Sequence, residues 1–257
     1  MMIRPFSRLA RLARLSWLSL LCVLSLQIGA SSLWADSEWR PWADKIHARL
    51  VDNLTPPQRS ALPTPPVRLI EGKATSLATA GRQVVVSDAA LELWSRLALA
   101  IGRDTACPGY LAEFLRRCSE APEGLAALPD PAEIPTKKAR KPVVDDRNQQ
   151  LTAFSQMAAT LIGTELAKAT MFPTTEASSG SEAKALLSDA QALDVLREGT
   201  RLAARSGYTS EALQSLINAL PTGAPTPAWA GAFLPSQPRG AALAKDIKKV
   251  ERKALGR

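Results

Sequence analysis

Histidine is almost missing from this chain: His47 is its one copy in 257 residues. A metal centre built on paired imidazoles is therefore excluded within a single molecule. Acids are missing from residues 1–35, where Arg4, Arg8, Arg11 and Arg14 precede an apolar run from Leu15 to Ile28 and small residues at Gly29 to Ser32. A second cleavage point follows Ala35. That order is the one an export signal has. Cys22 follows Leu21 rather than a small residue, which excludes a lipoprotein signal. Ser16, Ser19, Ser25 and Gln27 dilute the apolar run and set it apart from an uncleaved anchor. The expectation is a signal peptide over 1–35, a mature chain beginning between Ser31 and Asp36, and export, to the periplasm in a Gram-negative cell.

A basic body is lacking too. The net charge of +8 includes four leader arginines, and from Arg239 onward seven Lys or Arg face two acids, a surplus of +5. The body from Asp36 to Pro238 is thus near −1. That argues against nucleic acid as a partner, which needs a basic face on the folded body. Two cysteines outlast cleavage, Cys107 and Cys118, and an oxidising compartment permits a bridge. If one helix separates them, its rise of ~1.5 Å per residue carries their Cα atoms roughly 15 Å apart, beyond the ~7 Å limit. The alternative is two free, buried thiols.

What is present reads mainly as helix, enough for one domain from 36 to 257. Trp39, Trp42, Ile46 and Leu50 repeat at helical spacing over Asp36 to Leu54, with His47 beside that stripe on the polar side, as a solvated or capping residue. Pro56-Pro57 stops the helix, and the stretch to Pro66 is too rich in proline for regular structure. Val67 to Ile70 and Gln83 to Val86 are short, branched strands, with a further extended piece at Ala74 to Ala78 and a turn at Ala80-Gly81. Ser87 or Asp88 caps a helix whose Leu91, Trp94, Leu97 and Ile101 share a face, ending near Gly102. A helix around Tyr110 to Cys118 precedes a Pro-rich loop over 119–144. That loop carries Lys137, Lys138, Arg140 and Lys141.

Asn148 to Phe172 is the longest helix. Ser181 caps another that runs to about Ser206, with Gly207 as its stop. Thr209 to Leu220 forms a short helix, and 221–238 is irregular and Pro-rich. Ala241 to Leu255 closes the chain as a basic helix with Leu243, Ile247, Val250 and Ala254 on one stripe.

Within the longest helix, Gly163-Thr164-Glu165-Leu166-Ala167-Lys168 is similar to the GHExxH helix of a zinc protease, in which two His at i and i+4 hold the metal and the Glu activates water. Glu165 is kept, and Thr164 and Lys168 stand at the His positions. Three further pieces follow the same order: Thr75-Ser76-Leu77-Ala78 with Gly81 and Val84-Val85-Val86; Leu193 to Tyr208; and Leu234-Pro235-Ser236-Gln237-Pro238-Arg239.

Together they resemble the gluzincin metallopeptidases of the CAAX-prenyl-protease and heat-shock-protease type, over roughly Val67 to Val250. The resemblance implies a gluzincin-like, mainly α (α+β) domain with a small β element on its N-terminal side. Aligning Arg205-Ser206-Gly207-Tyr208 with the family's turn puts Gly199 on the motif glycine and Asp194 on the third ligand. Val195 and Leu196 replace its Ala-Asp pair, and Gln237 stands where a family histidine does. The hairpin ending at Val86 implies an open edge strand, Gln83, Val84, Val85 and Val86, that receives an extended peptide.

The chemistry of the substitutions opposes zinc. Thr164 offers a neutral hydroxyl and Lys168 an ammonium, so no metal and no cofactor is expected. The reading is an exported, catalytically inactive metallopeptidase-like protein that binds a protein or peptide partner. One alternative is a divergent peptidase, metal-dependent through Glu165 and Asp194 or lysine-dependent through Lys168 with Thr164 or a nearby Ser as nucleophile. Another is a structural envelope protein whose basic C-terminal helix rests on anionic lipid, although the apolar stripe of that helix is expected to pack on the body. Replacing the metal by charge, Lys168 is expected within about 4 Å of Asp194.

Overall fold

In the computed structural model, residues 37–72, 77–80, 82–120, 130–131, 134, 146–172, 187–220, 234 and 239–257 are described. The leader, Thr75-Ser76, the basic run at 137–141, Ser181 and Gln237 lie outside them.

Glu38–Arg257 forms one compact unit, mainly helical with one small sheet. Helix α1, Arg40–Asp52, buries Ala43, Ile46 and Leu50 along one stripe. Trp39, just before it, lays its ring 4.6 Å from that of Phe154, and the Arg147 guanidinium covers the indole at 4.4 Å. The proline-rich stretch that follows is not wholly irregular, as the sequence suggested. Pro56–Ser60 makes a short helix, α2, with prolines in its first turn, and Thr55 and Gln58 form a reciprocal capping box. Proline fits there because the first N–H groups of a helix have no partner inside it.

Three strands follow: β1 Val67–Ile70, β2 Leu77–Ala80 and β3 Gln83–Ser87. Their order is β1-β3-β2, with β1 parallel and β2 antiparallel to β3. Ser87 ends β3 and caps α3, Asp88–Ala106, by accepting from the Ala90 N–H. This helix passes through Gly102, where its apolar repeat was expected to stop. Arg40 reaches Asp88 in the first turn of α3 with two bonds, 2.6 and 2.8 Å, and so locks α1 to α3. Helix α4 spans Tyr110–Glu120. Cys107 and Cys118 are free and buried, and burial pushes the Cys118 thiol up to about 12.

The centre of the fold is α5, Arg147–Met171, capped by Asp146. From Met157 to Ala167 every residue is buried, because α1, α3 and the sheet surround it together with two further helices. These are α6, Asp189–Arg205, and α7, Glu211–Ala219. The cap of α6 is Ser188, reciprocating with Gln191, rather than Ser181. Gly207 ends α6 as expected: its φ is +84°, and the Tyr208 and Gly207 N–H groups return to the Ala203 and Ala204 carbonyls, both at 3.0 Å. That is the pairing of a Schellman stop. Helix α8, Gly240–Ala254, packs Leu243, Ala244, Ile247 and Val250 onto α6 and α7. Among the described residues no helix is long and apolar enough to cross a membrane.

Candidate functional site

Glu165 is a carboxylate in the middle of the core, 2 % exposed. A charge there needs partners. One comes from the sheet: in β2, Leu77 and Thr79 point the same way because side chains alternate along a strand. Leu77 is buried, and Thr79 Oγ1 donates to Glu165 Oε2 at 2.7 Å. The other is Lys168, one turn on, with Nζ 3.5 Å from the same oxygen and its side chain 28 % exposed. The ammonium thus stands between the buried carboxylate and water.

Thr164 has its hydroxyl committed elsewhere. It donates to the Thr160 carbonyl at 2.7 Å and lies against α6, where two glycines let the backbones touch. A Cβ on Gly163 would meet the Gly199 carbonyl oxygen at 2.9 Å, and one on Gly199 would stand 2.5 Å from Thr164 Cα and Oγ1. Those two motif glycines are therefore brought together at the α5–α6 crossing. A threonine bonded to its own helix and pressed on a neighbouring backbone is poorly placed as a nucleophile.

Asp194 is not part of this constellation. It precedes Gly199 by five residues, roughly 140° around the helix, and so faces away from α5. Its side chain is 58 % exposed and pairs with Arg197 at 3.1 Å. Arg197 also holds Asp246 of α8 at 2.7 Å, and these bonds, that to Asp246 foremost, raise its already high pKa. The expected Lys168–Asp194 bridge does not form. Lys168 pairs with Glu165 instead, and Asp194 does not stand at a ligand position beside it. Gln237 lies outside the described residues.

The strand expected to be open is also displaced. Gln83 to Val86 belong to β3, which is sandwiched between β1 and β2, so no peptide can be added alongside it. The physical reason is β1, which returns parallel to β3 and covers the side that local sequence leaves blank. The open edge next to Glu165 belongs to β2. Val84 gives its N–H to the Pro66 carbonyl on the β1 side, 2.8 Å, so the Thr79↔Val84 pair is a non-hydrogen-bonded one. In such a pair the main-chain groups point away from the partner strand. The N–H and C=O of Thr79 therefore face outward, and among the described residues nothing pairs with them. At the Ala80 end of this edge lies an open depression of about 450 Å³, bordered by Ser60, Leu62, Pro63, Arg82 and Gln83.

Sequence reasoning missed Thr79, although the Leu77/Thr79 alternation marks it. It also missed Arg197, which the three-residue spacing from Asp194 marks as a partner. His47 is neither solvated nor a cap. It is half-buried, with Nδ1 3.6 Å from Asp44 Oδ1, and that nitrogen makes no hydrogen bond. Burial lowers its pKa against the opposing pull of Asp44.

Among the described residues no three His, Cys, Asp or Glu gather closely enough to hold a metal ion. No protein-family model, curated protein or solved structure matches the chain.

Proposed function

We propose that this chain is an exported, gluzincin-like domain that binds an extended polypeptide along β2 without cutting it. The observation that carries the reading is the unpaired outer edge of β2 beside the helix that holds Glu165. An extended segment laid there gains main-chain hydrogen bonds from Thr79, and the depression beyond Ala80 has room for one of its side chains. Hydrolysis lacks its parts: Thr164 is bonded to its own helix, Glu165 is paired with Lys168 and hydrogen-bonded by Thr79, and Asp194 is turned away to Arg197.

The edge is tested by two substitutions at one residue. Thr79→Pro removes the outward N–H, a change an edge strand tolerates, whereas Thr79→Val keeps the N–H and removes only the hydroxyl. Titration of a panel of extended, fluorescently labelled peptides is expected to show binding that falls by about tenfold or more in the proline variant. The valine variant should stay within about threefold of the parent. Equal affinity for all three proteins would place any binding elsewhere.

A further inference from the structure

We propose that α8 is a docking surface for anionic lipid headgroups, which holds the domain at a membrane surface. The inference rests on how charge is distributed around this helix. Leu243, Ala244, Ile247 and Val250 are buried, and Lys245, Lys248, Lys249, Arg252 and Lys253 are exposed. At 3.6 residues per turn the five cations fall in an arc of roughly 140°, centred opposite the buried stripe. Both acids of the helix lie on the flanks and turn inward. Asp246 is held by Arg197 at 2.7 Å, and Glu251 accepts from the Ser210 N–H at 2.9 Å and from its hydroxyl. Among the described residues none of the five cations has an acid within ion-pair distance. Their axial spread is about 12 Å, while the body of the protein from Asp36 to Pro238 is near −1 overall.

The character of the face selects lipid. Four of the five cations are lysines, compact charges suited to a diffuse anionic surface rather than to the two-pronged grip that arginine makes on single phosphates. The arc holds no aromatic ring to stack on a base and no amide to read a base edge. At its end Leu255 is 39 % exposed, an apolar side chain beside the charges, as interfacial helices have. The apolar stripe of α8 is already spent on α6 and α7, so attachment is electrostatic and reversible.

The test is co-sedimentation of the full chain with vesicles of phosphatidylcholine alone and with 30 % phosphatidylglycerol. The leader, with its four arginines and its Leu15 to Ile28 run, is common to every variant, so the readout is how the anionic-to-neutral ratio changes across the variants. That ratio should exceed tenfold at low salt and fall steeply as salt rises. It should drop by on the order of fivefold for each cation removed in a K248Q/K249Q/R252Q/K253Q series, and survive in K248R/K249R/K253R. Circular dichroism should show the variants folded, since all the altered side chains are exposed. A ratio near one, a ratio indifferent to the glutamine series, or tighter retention by a duplex oligonucleotide than by anionic vesicles would overturn the proposal.

Discussion

Replacing Gly199 by alanine puts one methyl group into the tightest contact of the fold. Its carbon would stand 2.5 Å from Thr164 Cα, where ordinary contact begins near 3.4 Å, so α5 and α6 must part by about 1 Å. The obstacle is backbone and cannot swing aside. Overpacking of this kind costs about 1–3 kcal/mol, here at the upper end, while alanine returns about 1 kcal/mol of helix propensity. The net loss is about 2 kcal/mol, or about 4–8 °C in Tm for a domain of this size. Gly163→Ala meets the Gly199 carbonyl oxygen at 2.9 Å and should lose less. Gly102 in α3 supplies the opposite control: its nearest neighbour would be Gln149 Oε1 at 3.7 Å, so Gly102→Ala should stabilise by about 0.5–1 kcal/mol. Urea unfolding of the three variants reads the order directly. A Gly199→Ala protein as stable as the parent would refute the close crossing and the placement of Thr164 that depends on it.

Two other outcomes are expected. Lys168→Ala should cost about 1–2 kcal/mol, between the values for exposed and buried pairs, because it leaves Glu165 with Thr79 alone. Adding Glu165→Gln should recover part of that in a double-mutant cycle, and purely additive losses would contradict the pair. For His47, a pKa lowered by burial means that the unfolded chain takes up the proton first as pH falls below about 6.5. Stability carried by neutral His47 is therefore complete above that pH and is lost as pH falls toward the lower folded value. His47→Leu should flatten the dependence of urea midpoints between pH 5 and pH 7.

Elements set by local chemistry were legible in the sequence. The spacing of Trp39, Ile46 and Leu50 marked α1, although Trp42, read on the same stripe, is exposed; Ser87 marked the start of α3, and Gly207 the end of α6. Ser188 is legible too, since Ser188 and Gln191 stand at capping-box spacing, although Ser181 offers a competing start. What could not be read depends on partners distant in sequence. Whether Gln83 to Val86 form an edge is decided by Val67 to Ile70, which pair from the other side. The rotation of Asp194 follows from which face of α6 meets Gly163, a matter of packing that counting along a motif does not capture. Glu165 stands out in the sequence through its motif alone, whereas its partners, Thr79 from the sheet and Lys168 on its own helix, follow from burial, because a buried carboxylate takes whatever donors the fold brings near.

The most direct test of the central claim is the mass spectrum of peptides recovered from their complex with tag-free protein after prolonged incubation with zinc. Capture of extended peptides that are recovered at full length is the predicted result. Cleaved peptides, or no capture at all, would contradict a domain that binds at β2 and does not cut.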